Sequence, residues 1–241
     1  MKAGEPDSGG IWIPILSDVL GREIQRGKFL IGLYDPAAHW LSFSLTMASM
    51  LLQNGYVVNI TTTSTPPSEI RRILHQSVPT LEDPAVADRL SISDIYTWQT
   101  GRKSEEAETA DSLSLAKASI DFATTWLRGN MPRYDFVVTD NFSPFLRYND
   151  ERVFTQWLDK TVPRLREMKG VRLWSFVKRV HSDAFYATIE SLADGIIELE
   201  YRETSDGMEH VLRVKSMKGI PHPTDWRRLR VNASGLLELS A

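Results

Sequence analysis

Cysteine is absent from the 241 residues of this chain. Its absence excludes a disulfide framework, a thiol nucleophile and a metal site built from thiolates. Long apolar runs are missing as well, since no stretch approaches the roughly 18 to 20 residues that span a bilayer. The short apolar patch near the N-terminus, IWIPIL at 11–16, makes a poor signal peptide. We therefore expect a cytoplasmic protein without a membrane span.

An excess of positive charge is also lacking. The chain has 28 basic and 31 acidic residues, a formal net charge of −3, and so carries no overall field that would hold a phosphate backbone. Basic residues do outnumber acidic ones over residues 147–179. This basic stretch is either solvated helix surface or a surface for an acidic partner. Nucleic-acid binding is accordingly expected to be absent or weak.

Recognisable catalytic and metal-binding motifs are missing too. The five histidines show neither H-x-x-x-H nor H-E-x-x-H spacing, so no metal site is predicted. No G-x-S-x-G segment marks a nucleophilic serine. We predict no catalytic residues and no cofactor.

What the chain does contain is a regular alternation of β-rich and helical segments. Strands are predicted at 29–33, 56–62, 89–98, 135–139 and 172–177. Helices are predicted at 38–54, from Pro66 onward, and at 113–129, 150–170 and 182–194. Such alternation implies right-handed crossovers and a mainly parallel sheet between two helical layers. Three β-like runs over 195–239 predict antiparallel additions at one edge. The length favours one three-layer α/β domain over 1–241, with 1–27 as an arm and lead-in.

The first strand and helix frame a loop where a nucleotide-binding protein would carry its phosphate-binding motif, G-x-x-x-x-G-K-[ST]. Residues 33–40 instead read LYDPAAHW. Glycines let backbone N–H groups approach phosphates, lysine reaches the terminal phosphates, and a hydroxyl binds Mg²⁺. These four defining positions are occupied by Leu33, Ala38, His39 and Trp40.

Other residues of the same loop also oppose anion binding. Pro36 deletes an N–H donor, and Asp35 places a negative charge where an anion would lie. Trp40 stands at the junction of loop and helix, where its side chain either fills the vacated cavity or lies exposed. The spacing of a phosphate cradle is retained without its chemistry.

Several segments together resemble the KaiC-like branch of the RecA superfamily, over most of the chain. They are ADGI at 193–196, LRV at 212–214, MKG at 217–219 with His222, the strand YDFVVTD ending at Asp140, and the lead-in LGREIQRGKFLIG at 20–32. The lead-in lacks the glycine pair usual in that family. The resemblance implies a RecA-like fold in which Asp140 holds the acidic Walker B position.

The same resemblance implies that further catalytic parts are missing. Two glutamates that prepare the attacking water in active relatives correspond to Ser64 and Thr65, whose hydroxyls are not useful general bases at neutral pH. The K-x-R finger corresponds to Ser216, Met217 and Lys218, so one of its two cations remains. Asp140 alone would still need substrate phosphates to hold Mg²⁺. Joint loss of these parts predicts an inactivated ATPase.

Three functions follow as hypotheses. The first is a non-catalytic regulatory or signalling module that binds other proteins, either an active KaiC-like paralogue or further copies of itself. The second is an accessory protein resembling RadA paralogues, which would bind single-stranded nucleic acid through the basic stretch. The third is an enzyme with weak residual nucleotide hydrolysis or a different chemistry. Trp226, next to Arg227 and Arg228, is either part of a contact surface or packs at a sheet edge.

Overall fold

The computed structural model describes residues 9–106, 108–109, 134–146, 150–204 and 207–240. The helix predicted at 113–129 and the first basic residue of the stretch 147–179 lie outside these ranges. Within them, no helix has the length and apolar character needed to cross a membrane.

The elements follow the alternation expected from the sequence. The described strands are β1 (Gly10–Ile11), β2 (Ile24–Gln25), β3 (Phe29–Tyr34), β4 (Val58–Thr62), β5 (Leu90–Asp94), β6 (Glu108–Thr109), β7 (Phe136–Thr139), β8 (Val171–Val177), β9 (Gly195–Thr204), β10 (Gly207–Met217), β11 (Arg227–Val231) and β12 (Leu237–Leu239). The described helices are α1 (Leu16–Leu20), α2 (Trp40–Gln53), α3 (Pro67–Ser77), α4 (Pro84–Ala87), α5 (Tyr96–Gln99), α6 (Ser143–Leu146), α7 (Glu151–Glu167) and α8 (Asp183–Leu192), with a 3₁₀ turn at Pro79–Glu82.

A ten-stranded sheet organises the described part of the chain, in the order β12-β11-β10-β9-β3-β8-β7-β4-β5-β6. Strands from β9 to β6 along this order are parallel, and β10, β11 and β12 extend the sheet by antiparallel pairing. The predicted α/β class, with antiparallel strands at the C-terminal end, is confirmed. β1 and β2 pair separately as a small antiparallel ribbon.

Hydrophobic side chains fill both faces of this sheet. One face packs against α1, α2 and α3, with Leu30, Ile60 and Val138 pointing toward them. The opposite face packs against α7 and α8 and is rich in aromatic rings, among them Trp157 stacked on Trp174 with ring centroids 5.7 Å apart. Burial on both faces explains why the parallel strands read as continuous apolar runs.

Local signals account for most element boundaries, and a few boundaries differ from prediction. The run at 89–98 leaves the sheet at Asp94, because its carboxylate accepts the backbone N–H of Thr97 at 2.8 Å and starts α5. The run at 227–239 divides into β11 and β12, since Asn232 Oδ1 accepts the N–H groups of Ser234 and Leu236 and closes a turn. Ser182 caps the N-terminus of α8, since its hydroxyl accepts the N–H of Phe185.

Candidate functional site

Loops at the carboxyl ends of β3, β4, β7 and β8 meet at one edge of the sheet. In open α/β sheets this is the edge where ligands bind. A cleft of about 330 Å³ lies there, and it is lined by Tyr34, Ala38, His39, Trp40, Leu41, Ser42, Ser64 and Asp140. The cleft therefore brings Ala38, His39 and Trp40, which the sequence comparison places in a phosphate-binding motif, together with Asp140, which it places at Walker B.

Trp40 is buried at the start of α2, with 2% of its surface exposed. Its indole lies directly on the backbone of Gly32 and stacks on the ring of Tyr34, with centroids 5.2 Å apart and planes 17° apart. Its Nε1 donates to the carbonyl of Thr139 at 3.4 Å. Of the two placements considered for Trp40, the structure shows the buried one: the side chain packs on the sheet and contacts both β3 and β7.

The loop before α2 bonds to itself and to the neighbouring loop. The N–H of Ala38 donates to the carbonyl of Asp35 at 2.8 Å, and that of Trp40 donates to the carbonyl of Ala38 at 2.8 Å. The carboxylate of Asp35 pairs with Arg179 at 2.8 Å. Leu33 is buried within β3, whereas Pro36 is exposed. Two N–H groups that a phosphate cradle would need inward are thus used within the loop.

Asp140 is 3% exposed and accepts hydrogen bonds from the segment that follows β4. The backbone N–H groups of Thr63 and Ser64 donate to different carboxylate oxygens at 3.0 and 3.2 Å, and Ser64 Oγ donates at 2.8 Å. The hydroxyls of Thr62 and Thr63 lie 3.2 and 3.1 Å away. Burial raises the pKa of Asp140, and the bonds from Ser64 and Thr63 act in the opposite direction. Both carboxylate oxygens of Asp140, the residue that the sequence comparison places at Walker B, therefore accept hydrogen bonds from the protein itself.

The positions expected to hold catalytic glutamates belong to this same segment. Ser64 is exposed and contributes its hydroxyl to Asp140, while the carbonyl of Thr65 accepts the hydroxyl of Thr62 at 2.5 Å. Neither residue supplies a base. The segment acts instead as a cap that holds Asp140.

His39, which the sequence comparison aligns with the lysine of a phosphate-binding motif, has an exposed ring that lies against His210 with centroids 4.4 Å apart. His210 lies on β10, and its ring also packs against Tyr201 with centroids 4.7 Å apart. Burial lowers the pKa of His210, and the nearby His39 lowers it further. No sequence spacing indicated that these two histidines would meet.

Ser216, Met217 and Lys218, which the sequence comparison aligns with the K-x-R finger, lie away from the cleft. Ser216 and Met217 pair with the first residues of β9, which lie beside the beginning of β3, whereas the cleft is at the end of β3. Lys218 Nζ donates to the carbonyl of Ser191 near the end of α8, at 2.9 Å. Lys218 is therefore bonded within its own chain, at the opposite end of the sheet.

A series of polar side-chain contacts, which the sequence did not reveal, connects the loops after β7 and β8. Ser143 Oγ lies 2.9 Å from His181 Nε2, and Glu151 Oε1 lies 3.3 Å from His181 Nδ1. This order of atoms is that of a serine-histidine-acid triad. However, Ser143 is 6% exposed, and its oxygen also accepts the N–H of Val177 at 3.0 Å. These contacts connect two loops. Burial lowers the pKa of His181, although the nearby Glu151 acts to raise it.

The basic stretch does not form a continuous surface in its described part. Arg172 is buried, Arg166 pairs with Asp194 at 3.0 Å, and Lys178 pairs with Glu200 at 2.5 Å. Exposed cations remain on α7 and just beyond it, at Arg152, Lys160, Arg164 and Lys169.

Trp226 is half-buried and packs over two arginines of neighbouring strands. The guanidinium carbons of Arg202 and Arg213 lie 3.8 and 4.5 Å from its ring centroid. The cations over its ring are therefore Arg202, Arg213 and, at 6.0 Å, Lys178, and not the adjacent Arg227 and Arg228. This placement corresponds to packing on the sheet extension.

Metal-ligating side chains are sparse in the described ranges, where no group of three or more His, Asp or Glu residues could hold an ion. No protein-family model matches the sequence, and no curated protein matches it. Among solved structures, the chain is similar to a KaiC-like protein from the hyperthermophilic archaeon Pyrococcus horikoshii, with a TM-score of 0.70 and 13% identity, over 97% of this chain and 100% of that one. At this identity the likeness concerns the fold alone, and the chain therefore has the fold of that KaiC-like protein.

Proposed function

We propose that this protein is a nucleotide-independent member of the RecA-like fold that acts through contacts with other proteins, as a regulatory or signalling module. One observation carries the proposal. The indole of Trp40 is buried at the place where a phosphate loop would present a hydroxyl to Mg²⁺. The neighbouring carboxylate of Asp140 is bonded by Thr63 and Ser64, which further supports the proposal.

The estimated loss of nucleotide-binding free energy also supports the proposal. Charge-assisted hydrogen bonds of the kind made by a phosphate loop contribute about 1.5–3 kcal/mol each. Loss of the lysine and of two N–H donors would remove on the order of 5 kcal/mol. A site with micromolar affinity, near −8 kcal/mol, would then bind at about millimolar concentration or more weakly.

A nucleic-acid role is less well supported. This hypothesis depends on the basic stretch. Several cations of the stretch are buried or paired with carboxylates of the same chain. A side-chain cation binds nucleic acid by neutralising a phosphate, which releases a counterion from the nucleic acid. A cation that is buried or already paired with a carboxylate cannot do this. A protein partner, either an active KaiC-like paralogue or a second copy of the chain, suits a surface of mixed charge better.

The test is a thermal melt of the full chain with and without several millimolar Mg-ATP, with an active KaiC-like ATPase as the positive control. A ligand present at about 100 times its Kd adds about 2.7 kcal/mol and would raise the melting temperature by several degrees. We expect no such shift. A shift that is reversed by His39→Ala would contradict the proposal, because it would show a phosphate site that uses the imidazole in place of lysine.

The protein-contact part is tested separately by light scattering and by co-purification with the purified active paralogue. Self-association or a stoichiometric complex is expected at micromolar concentration. A strictly monomeric chain that forms no complex with the paralogue would refute these two partners.

A further inference from the structure

A second cavity lies at the same edge of the sheet as the cleft, farther along toward β6. It has a volume of about 880 Å³ and lies between the start of α3 and the segment that follows β5. Pockets for small organic ligands typically measure about 300–1,000 Å³, and ligands of α/β sheets bind at the carboxyl ends of the strands. No residue of the loop before α2 lines this cavity, so it is separate from the altered phosphate loop.

Three cationic side chains line the cavity: Arg71, Arg102 and Lys103. Arg102 and Lys103 are exposed, and neither forms an ion pair with another described residue. Arg71 holds Glu106 through Nε and Nη2, at 2.8 and 2.5 Å, which leaves Nη1 for a further acceptor. The side chain of Arg71 is 40% exposed and that of Glu106 is 11% exposed, so a ligand would meet the guanidinium first.

Most of the carboxylates that line the cavity are already bonded within the chain. Asp94 is 1% exposed, and its oxygens accept the N–H of Thr97 and the hydroxyl of Ser104. Glu106 is held by Arg71. Glu105 is exposed and faces the two unpaired cations alone. The charges that are open to a ligand are therefore positive in sum.

We propose that this cavity binds a small organic anion that carries two or more carboxylate or phosphate groups. Arg71 and Arg102 would donate N–H groups to its oxygens, since guanidinium groups match the planar geometry of carboxylate and phosphate, and Lys103 would add a point charge. Pro66 and Tyr96 also line the cavity and offer apolar surface to the carbon part of the ligand. Such a ligand site goes beyond the proposed function, which concerns the altered loop and protein contacts.

The experiment is isothermal titration calorimetry of the full chain with sodium citrate and with sodium pyrophosphate, both without Mg²⁺. We expect one saturable site for at least one of these anions, with an affinity that falls as salt is added, because the cations are partly exposed. The double variant Arg102→Ala with Lys103→Ala should weaken binding at least about tenfold, since it removes two charge-assisted contacts. Glu105→Gln should strengthen binding, because it removes the opposing charge.

The matched control is the double variant Lys160→Ala with Arg164→Ala. It removes the same charge from exposed positions of α7, on the other face of the sheet, and should leave the affinity unchanged. All of these side chains are exposed, so the variants are expected to fold. Binding of citrate alone would assign a polycarboxylate ligand, and binding of pyrophosphate alone would assign a phosphorylated one.

Three results would overturn the proposal: no saturable binding of either anion up to about 10 mM, an unchanged affinity in the Arg102 and Lys103 variant, or an equal loss in the control. These results are distinct from a failure of the proposed function. That failure is a melting shift with Mg-ATP that depends on His39. Mg-ATP is not expected to occupy this cavity, because Mg²⁺ already neutralises part of its phosphate charge.

Discussion

The contact between Gly32 and Trp40 offers the sharpest test of where the indole lies beside the cleft. Gly32 lies within β3, where a residue without a side chain weakens a strand unless another group needs the space. A Cβ atom added at Gly32 would lie 2.0 Å from Cη2 of Trp40 and 2.6 Å from its Cζ2. We therefore predict that Gly32→Ala is strongly destabilising, and that the indole is the cause.

The magnitude follows from the rigidity of the surroundings. The indole is 2% exposed and is stacked on Tyr34, so it has little room to retreat. Forcing an extra methyl into a packed core typically costs about 1–3 kcal/mol, and occasionally more. For a chain of this size, each kcal/mol lowers the melting temperature by about 2–4 °C. We expect Gly32→Ala to lie at the upper end, with a melting temperature lower by about 6–12 °C.

A double-mutant cycle separates this clash from a general intolerance of β3. Trp40→Leu removes the clashing ring and should itself cost several kcal/mol, since large-to-small changes of buried tryptophan cost up to about 3–5 kcal/mol. In that background Gly32→Ala should cost far less, which gives a favourable coupling of about 1–3 kcal/mol. Urea denaturation of the four proteins measures each free energy of unfolding. Gly9→Ala is the control, because an added Cβ there meets nothing within 4 Å.

Two results would refute the reasoning. Additive effects within about 0.5 kcal/mol would show that Gly32 and Trp40 do not compete for space. A wild-type melting curve for Gly32→Ala would show that the indole lies elsewhere, and the proposed function would lose the observation that carries it.

Three further outcomes are expected. Burial lowers the pKa of His181, so its contribution to stability is complete above the unfolded value of about 6.5 and is lost as pH falls toward the folded value. Melting temperatures between neutral and mildly acidic pH should therefore fall more for wild type than for His181→Gln, and equal slopes would contradict this. Asp140→Asn should lower the free energy of unfolding by about 1–3 kcal/mol, because its NH₂ group would face the N–H of Thr63 or Ser64; an unchanged urea midpoint would exclude that arrangement. Single-stranded DNA should bind no more tightly than about 10⁻⁵ M at physiological salt in a fluorescence titration, whereas submicromolar affinity would revive the nucleic-acid hypothesis.

The sheet was largely predictable because its signals are local. Buried parallel strands read as apolar runs, and the four central segments predicted as strands form β3, β4, β7 and β8 within about two residues. The sequence did not predict two strand boundaries that are each set by a single polar side chain. Asp94 ends β5, and Asn232 divides the last run, because each accepts backbone N–H groups a few residues onward.

The sequence could predict where the residues of the candidate site lie along the chain, but not which of them come into contact. The altered loop and the position of Asp140 could be located, since spacing from a strand end is a sequence property. Contacts between loops depend on strand order, so the pairing of His39 with His210 and of His181 with Ser143 could not be foreseen. Gly32 was the available signal for the buried indole, because a glycine inside a strand marks close approach by another group.

The stacking of Trp40 on Tyr34 has a consequence for how the fold responds to its surroundings. A bound ligand stabilises a fold in proportion to the logarithm of its concentration, so the stability of the fold rises and falls with supply. A side chain belongs to the same molecule, and its occupancy at the end of β3 does not depend on the concentration of any solute. Its contribution is therefore the same in a starved cell and in a growing one.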